Sequence, residues 1–295
     1  MKNTFLLFVF LACAFAAASQ TTPPATEIYL FDISSKKDKV SISNPVNFTQ
    51  HPGGYDNQPY FHPQLDVVYF TASNAEGRTD LKSYDYDQKK TKSITETSEK
   101  EYSPTVTPDR QYLSCIIQRD NGAQDLGKYP IEGGEPSLIV NHMTVGYHVW
   151  TDNSHLGLFI LGKDGAPATL HYLLLPMKRD TILASNIGRS LHRVPGETAF
   201  SFVHKVTDKD WYIKKFNNHT KKIADVAAAL PGREDLCWLP DGKILMSDGT
   251  GIFFYQPGKS TSWKPVEIEG ASVLKGVTRL AASPDGKKIA IVVSE

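Results

Sequence analysis

Residues 49–71, TQHPGGYDNQPYFHPQLDVVYFT, hold the reading on which the fold turns. They read as a loop, a short strand at 60–62, a tight turn over Pro63, Gln64, Leu65 and Asp66, and a second strand at 67–71. Turn formers between two runs of aromatic and β-branched residues are the signature of a β-hairpin. The same pattern returns along the chain with its turn at Pro108, Asp152, Pro195, Pro240 and Pro284, at steps of 43 to 45 residues.

The copies keep register as well as spacing. Five residues after each anchor stand Val68, Leu113, Gly157, Phe200, Leu245 and Ile289, and seven after it Phe70, Cys115, Phe159, Phe202, Ser247 and Ile291. Two before it stand Phe61, Val106, Trp150, Arg193, Trp238 and Ala282. Positions two apart share one face of a strand, so a single buried stripe is repeated six times. This predicts an all-β chain, a six-bladed β-propeller with four antiparallel strands per blade. The last repeat ends on its inner hairpin, whereas the runs at 27–31 and 40–42 ahead of the first repeat resemble an outer half-blade. Those N-terminal strands are expected to complete the last blade and close the ring, since an open ring would leave bare strand edges. The outer strand of blade five is expected within 263–268, and 224–230 has the composition for a single helical turn.

Ahead of the repeats, Lys2 precedes an apolar run at 5–18 that ends in small residues. That is the pattern of a secretory signal peptide, residues 1–19, which leaves 20–295 as one propeller domain in the periplasm or outside the cell. The run is short for a membrane span, and Cys13 sits in a poor lipoprotein signal. The chain carries 32 basic and 32 acidic residues. Such a balance argues against nucleic acid or an anionic membrane as the main partner. Cys115 and Cys237 fall in blades two and five, on opposite sides of a six-bladed ring. A disulfide needs Cα atoms within about 7 Å, so both are expected as separate thiols.

TQHPGGYDNQPYFHP, VTPDR, LPDGKIL and TRLAASPDGKKIAIV, with the outer-strand runs EIYLFD and KSYDYD, resemble the repeat of TolB-like six-bladed propellers. The resemblance covers nearly the whole chain after the leader and is strongest in blades one, two, five and six. Blades three and four depart from it, with TDNS and VPGE at the turn. No counterpart of the domain that precedes the propeller in TolB is expected. The resemblance implies the fold and a cell-envelope setting more directly than it implies an activity.

The chain lacks a G-x-S-x-G elbow, an H-E-x-x-H or C-x-x-C pair and a phosphate-binding glycine loop. Asp85-Tyr86-Asp87 starts like a calcium loop but lacks the glycine and the distant glutamate, and reads as a turn. No catalytic residue and no metal ligand is assigned. In a propeller the inner strands begin around the axis. There Asp56, Glu101, Tyr147, His148, His192, Glu234 and Arg279 form the candidate ligand-binding set at the mouth. His148 and His192 are offset by one position, so their rings are expected on opposite faces. The plainer alternative is that these groups hydrogen-bond water and neighbouring backbone. Arg193, in an otherwise apolar register, is expected buried and paired with Glu234 or Asp235. Two functions compete. One is a non-catalytic, monomeric binding module for a protein or peptide of the cell envelope, with no cofactor. The other is a carbohydrate lyase or hydrolase whose polar mouth would hold the substrate, with or without a metal.

Overall fold

The six hairpins grow into six twisted sheets arranged about one axis. A computed structural model describes residues 23–295; the signal-peptide reading falls outside those residues. From the axis outward, blade one comprises Asp56–Phe61, Val67–Ser73, Thr79–Asp85 and Lys90–Ser93. Blade two comprises Lys100–Val106, Tyr112–Gln118, Gln124–Pro130 and Ser137–Val140. Blade three has Val145–Trp150, His155–Ile160, Thr169–Leu174 and Arg179–Ser185. Blade four has Ile187–Arg193, Ala199–Lys205, Trp211–Asn217 and Ile223–Ala228. Blade five has Leu236–Trp238, Ile244–Ser247, Ile252–Tyr255 and Lys264–Pro265.

Blade six takes Arg279–Ala282 and Lys288–Ser294 from the end of the chain, and Thr26–Lys36 and Lys39–Asn47 from its beginning. The two ends meet as an antiparallel ladder from Thr26 opposite Ser294 to Asp32 opposite Lys288. The closure expected from the half-blades is the one observed. A fifth strand was not anticipated. Glu267–Ile268 leaves blade five and runs parallel to Ser41 and Ile42 on the rim of blade six, so only the start of the 263–268 run belongs to blade five. The residues proposed for a helical turn lie mostly in the outer strand of blade four. Among the described residues the one helical element is a 3-10 turn, Ala271–Val273, and no helix is long and apolar enough to cross a membrane.

The turns show how one geometry tolerates several sequences. In blades two, five and six an aspartate after the proline accepts a backbone N–H two residues on: Asp109 from Gln111, Asp241 from Lys243, Asp285 from Lys287. The residue between adopts positive φ, which glycine gives freely at Gly242 and Gly286 and Arg110 adopts at a cost. In blade three Asp152 itself accepts from Ser154 and His155. Blade one has no aspartate there, and His62 Nδ1 accepts from Gln64 and Leu65 instead.

The repeated stripe is the core. Val68, Leu113, Phe200, Leu245 and Ile289 are each fully buried. Gly157 keeps the same register in blade three because a Cβ there would stand 3.0 Å from the Phe200 ring and 2.9 Å from Val149. Blades are also stitched by tryptophans. Trp150 Nε1 donates to Ser114 Oγ of the second strand of blade two, and Trp238 Nε1 to Ser201 Oγ of the second strand of blade four, each at 2.8 Å. Cys115 and Cys237 are free and buried. Burial pushes the Cys237 thiol up to about 12, so neither is a reactive thiolate at neutral pH.

Candidate functional site

The inner strands of all six blades wall a channel of about 920 Å³. It extends from the starts of those strands, at Gln58, Ser103, Tyr147, Asp235 and Arg279, to the turns at Pro63, Pro108, Pro195, Pro240 and Pro284. The turns are exposed or half-exposed, so the channel opens on their face of the ring. A smaller cavity of about 170 Å³ lies past the strand starts, lined by Arg233, Glu234, Ser247 and Thr278. Arg189, Asp235 and Arg279 line both and stand between them.

Bulges decide which side chains reach the axis. In blade one Asn57 pairs with Thr71 and Tyr60 with Tyr69, leaving one extra residue on the inner strand. Blade two does the same between Tyr102 and Thr105. Gln58 and Ser103, the bulged residues, take φ of 56° and 57°. Blade three carries an extra residue between Val145 and Tyr147, and blade four carries two between Ile187 and Leu191. Each bulge re-aims the residues on its N-terminal side. Gln58 then accepts the Ser103 N–H at 2.9 Å, tying the first two bulges together.

The axial end is built from charges and phenols. Arg189 grips Asp235 with Nε at 3.2 Å and Nη2 at 2.5 Å. Arg279 Nη1 stands 3.6 Å from the same carboxylate. Its Nη2 donates to Tyr147 Oη at 2.9 Å, and the guanidinium lies 5.1 Å from the centre of that ring. Glu234 is held by Lys205 at 2.8 Å and lies 3.6 Å from Arg189. Tyr55 packs edge-on against Tyr102 behind this cluster. Burial, opposed by Arg279, pushes the Tyr55 phenol up to about 12.

The seven candidate residues divide. Tyr147, His148, His192 and Arg279 line the channel. Glu234 faces the smaller cavity. Asp56 and Glu101 are turned away from the axis. Asp56 is 2% exposed, lies 3.1 Å from His51 Nδ1, and borders a separate cavity with Thr49 and Lys82. Glu101 is fully buried and accepts from Thr97 Oγ1 at 2.6 Å and Tyr129 Oη at 2.9 Å. Burial raises its carboxyl pKa against those hydrogen bonds. Both precede the bulges of blades one and two, which invert the alternation read from the turn.

One further correction has the same origin. The expected buried, paired Arg193 is exposed at the channel wall. The arginine that pairs with Glu234 and Asp235 is Arg189, four residues earlier and inside the bulge of blade four. Both histidines line the channel, and their rings point to opposite faces as expected, His148 toward blade two and His192 toward blade five, while their neighbours Val149 and Leu191 pack together between blades three and four. His148 Nε2 meets Ser114 Oγ at 2.7 Å, while its Nδ1 is buried without a partner. His192 Nε2 meets Ser190 Oγ at 2.9 Å. Burial pushes His148 down to about 3 and His192 to about 4, so both rings are neutral at pH 7. Among the described residues, no group of three or more His, Cys, Asp or Glu side chains is placed to hold a metal ion. Arg189 and Asp235 are not in the candidate set; the bulge that positions Arg189 spans Gly188, Arg189 and Ser190, and Gly188 inside its strand is the one local signal that could have marked it.

No family model matches the sequence, and no curated protein sequence matches it either. Solved structures do. A putative TolB from Agrobacterium tumefaciens superposes with a TM-score of 0.65 at 14% identity, over 92% of this chain and 98% of that one. TolB from Acinetobacter baumannii gives 0.56 at 10% identity, over 90% of this chain and 63% of that one. The oligogalacturonate lyase of Vibrio parahaemolyticus gives 0.57 at 14% identity, over 86% and 83%. At these identities the likeness shows the fold alone, the β-propeller, which in this chain has six blades.

Proposed function

We propose that this protein is an exported, non-catalytic binding module whose channel receives a segment of a cell-envelope protein. The observation that carries the reading is the channel itself. It is wide, opens through a ring of prolines, and is walled by the inner edges of six strands together with apolar and basic side chains. Arg110 and Arg193 stand at its open end. Glu197 there is already bound by Lys215 at 2.6 Å, so the side chains that line the channel at this end are net basic and favour an acidic segment. The likeness to TolB structures and the leader-like residues 1–19 support the envelope setting.

The test is capture from an envelope extract by the wild type and by an Arg110→Glu, Arg193→Glu variant. Both side chains are exposed, so the variant should melt within a few degrees of wild type. Loss of a captured protein in the variant is expected; equal capture by both would sink the reading. The position of leader cleavage, read by mass spectrometry of the exported chain, tests the localisation.

The basic lining also favours a second reading, a lyase of acidic carbohydrate, given the fold shared with the oligogalacturonate lyase. Incubation with oligogalacturonate tests it. A rise in ultraviolet absorbance from an unsaturated product would make this protein an enzyme, and no rise at saturating substrate would remove that reading.

A further inference from the structure

We propose that the axial end of the channel is a carboxylate site. There the Arg279 guanidinium, steadied by Tyr147, receives the C-terminal or side-chain carboxylate of a peptide inserted from the turn face. The inference rests on the binding-module reading and adds the chemistry of what is bound.

The argument starts from unequal pairing. Two guanidiniums and one carboxylate meet at the axis, and the carboxylate is taken. Both Asp235 oxygens accept from Arg189, and the 3.6 Å between Arg279 and Asp235 is beyond hydrogen-bond length. Glu234, beside Asp235 in the chain, is held by Lys205. Within the described residues, the Arg279 side chain makes one hydrogen bond, to Tyr147 Oη. An arginine carries five N–H donors in a planar fork. A side chain only 15% exposed that leaves most of that fork unused is costly unless a ligand completes it.

Two buried hydroxyls nearby also lack a partner, Ser103 Oγ of a channel-wall residue and Thr278 Oγ1 of a residue lining the smaller cavity beyond Arg279. The single uncompensated charge suits a monoanion, and the planar fork suits a carboxylate, which takes two parallel N–H bonds. A neutral hydroxyl would leave the charge uncompensated. A channel of about 920 Å³ accommodates several residues of extended chain.

The experiment uses the exported chain and four probes: N-acetyl-tetraalanine as the free acid, the same peptide as its amide, the amide carrying glutamate in the last position, and trigalacturonate. Calorimetry gives affinity, and the arginine Nε–H signals in a nitrogen-correlated NMR spectrum give location. The free acid or the glutamate peptide, whichever supplies the carboxylate, should bind on the order of tenfold or more tighter than the plain amide. The same probe should shift the Arg279 signal saturably.

Arg279→Gln should abolish that preference and Arg279→Lys restore part of it. Tyr147→Phe, which loosens the guanidinium without removing it, should weaken the preference and serves if the glutamine variant does not fold. Equal binding of acid and amide, or a preference that survives Arg279→Gln, overturns the site. Trigalacturonate binding at Arg279 more than about tenfold tighter than either acidic peptide overturns the peptide assignment. The two readings fail separately. A carboxylate preference at Arg279 without envelope capture removes the module and keeps the site, whereas capture without the preference does the reverse.

Discussion

Asp56 and Asp235 precede their turns by seven and five residues, counts of the same parity, and the bulge in blade one sends them to different environments. Asp235 lies at the axis in the grip of Arg189. Asp56 is buried near His51, and burial, against the pull of that histidine, pushes its carboxyl up to about 6. The folded chain therefore holds this proton more tightly than the unfolded chain does. The group's favourable contribution is fully present below the unfolded value near 4 and is lost as pH rises through about 6. Asp56→Asn should match wild-type stability at pH 4 and exceed it at pH 7.5, by roughly 1–3 kcal/mol in urea melts. A gap that does not widen between those pH values would refute the assignment. Asp235→Ala should cost about 1–3 kcal/mol, because it leaves two partly buried guanidiniums facing each other; no change in the urea midpoint would mean the pair is solvated. These roles are only half legible. Tyr147 and Arg279 are readable at the axis from the period of the repeat. Asp56 and Glu101 are not, because the bulges that re-aim them are built on Gln58 and Ser103, which no turn rule marks as special; for Arg189 the only local hint is Gly188 inside its strand.

Strands were more legible than side chains. Hairpin turns, apolar stripe and blade order all follow from local chemistry repeated six times, and redundancy corrects a weak copy. Blade three lost its proline and blade one its aspartate, yet Asp152 and His62 supply the same acceptor to the turn. The parallel strand Glu267–Ile268 was not legible because it belongs to no repeat and is two residues long. Its partner lies more than 200 residues away, at Ser41 and Ile42. Ile268 packs on the core between blades five and six beside Ile42. Ile268→Ala should cost about 1–2 kcal/mol and speed hydrogen exchange at the Glu269 amide, which donates to the Ile42 carbonyl at 2.9 Å. Exchange at wild-type rate would show that the strand is carried by its flanks and not by this side chain.

At the scale of the molecule, one ladder holds the ring shut. Thr26 faces Ser294, Glu295 N–H reaches the Ala25 carbonyl, and Gly53 N–H reaches the Glu295 carboxylate at 2.7 Å. The first described strand and the last therefore begin and end at the same edge of blade six. That placement has a mechanical meaning. Tension applied to residues 25 and 295 loads the rungs one at a time, starting with Thr26 and Ser294, so the ladder peels like a zip. Tension applied to Lys36 and Glu295, at opposite ends of the same antiparallel pair, would load all its rungs together in shear. Single-molecule pulling should find the first geometry yielding at clearly lower force, with blade six opening before any other. Equal forces in the two geometries would mean that side-chain packing carries the load. A tether at both termini would thus act as a ripcord, releasing the ring at its seam while five blades stay folded.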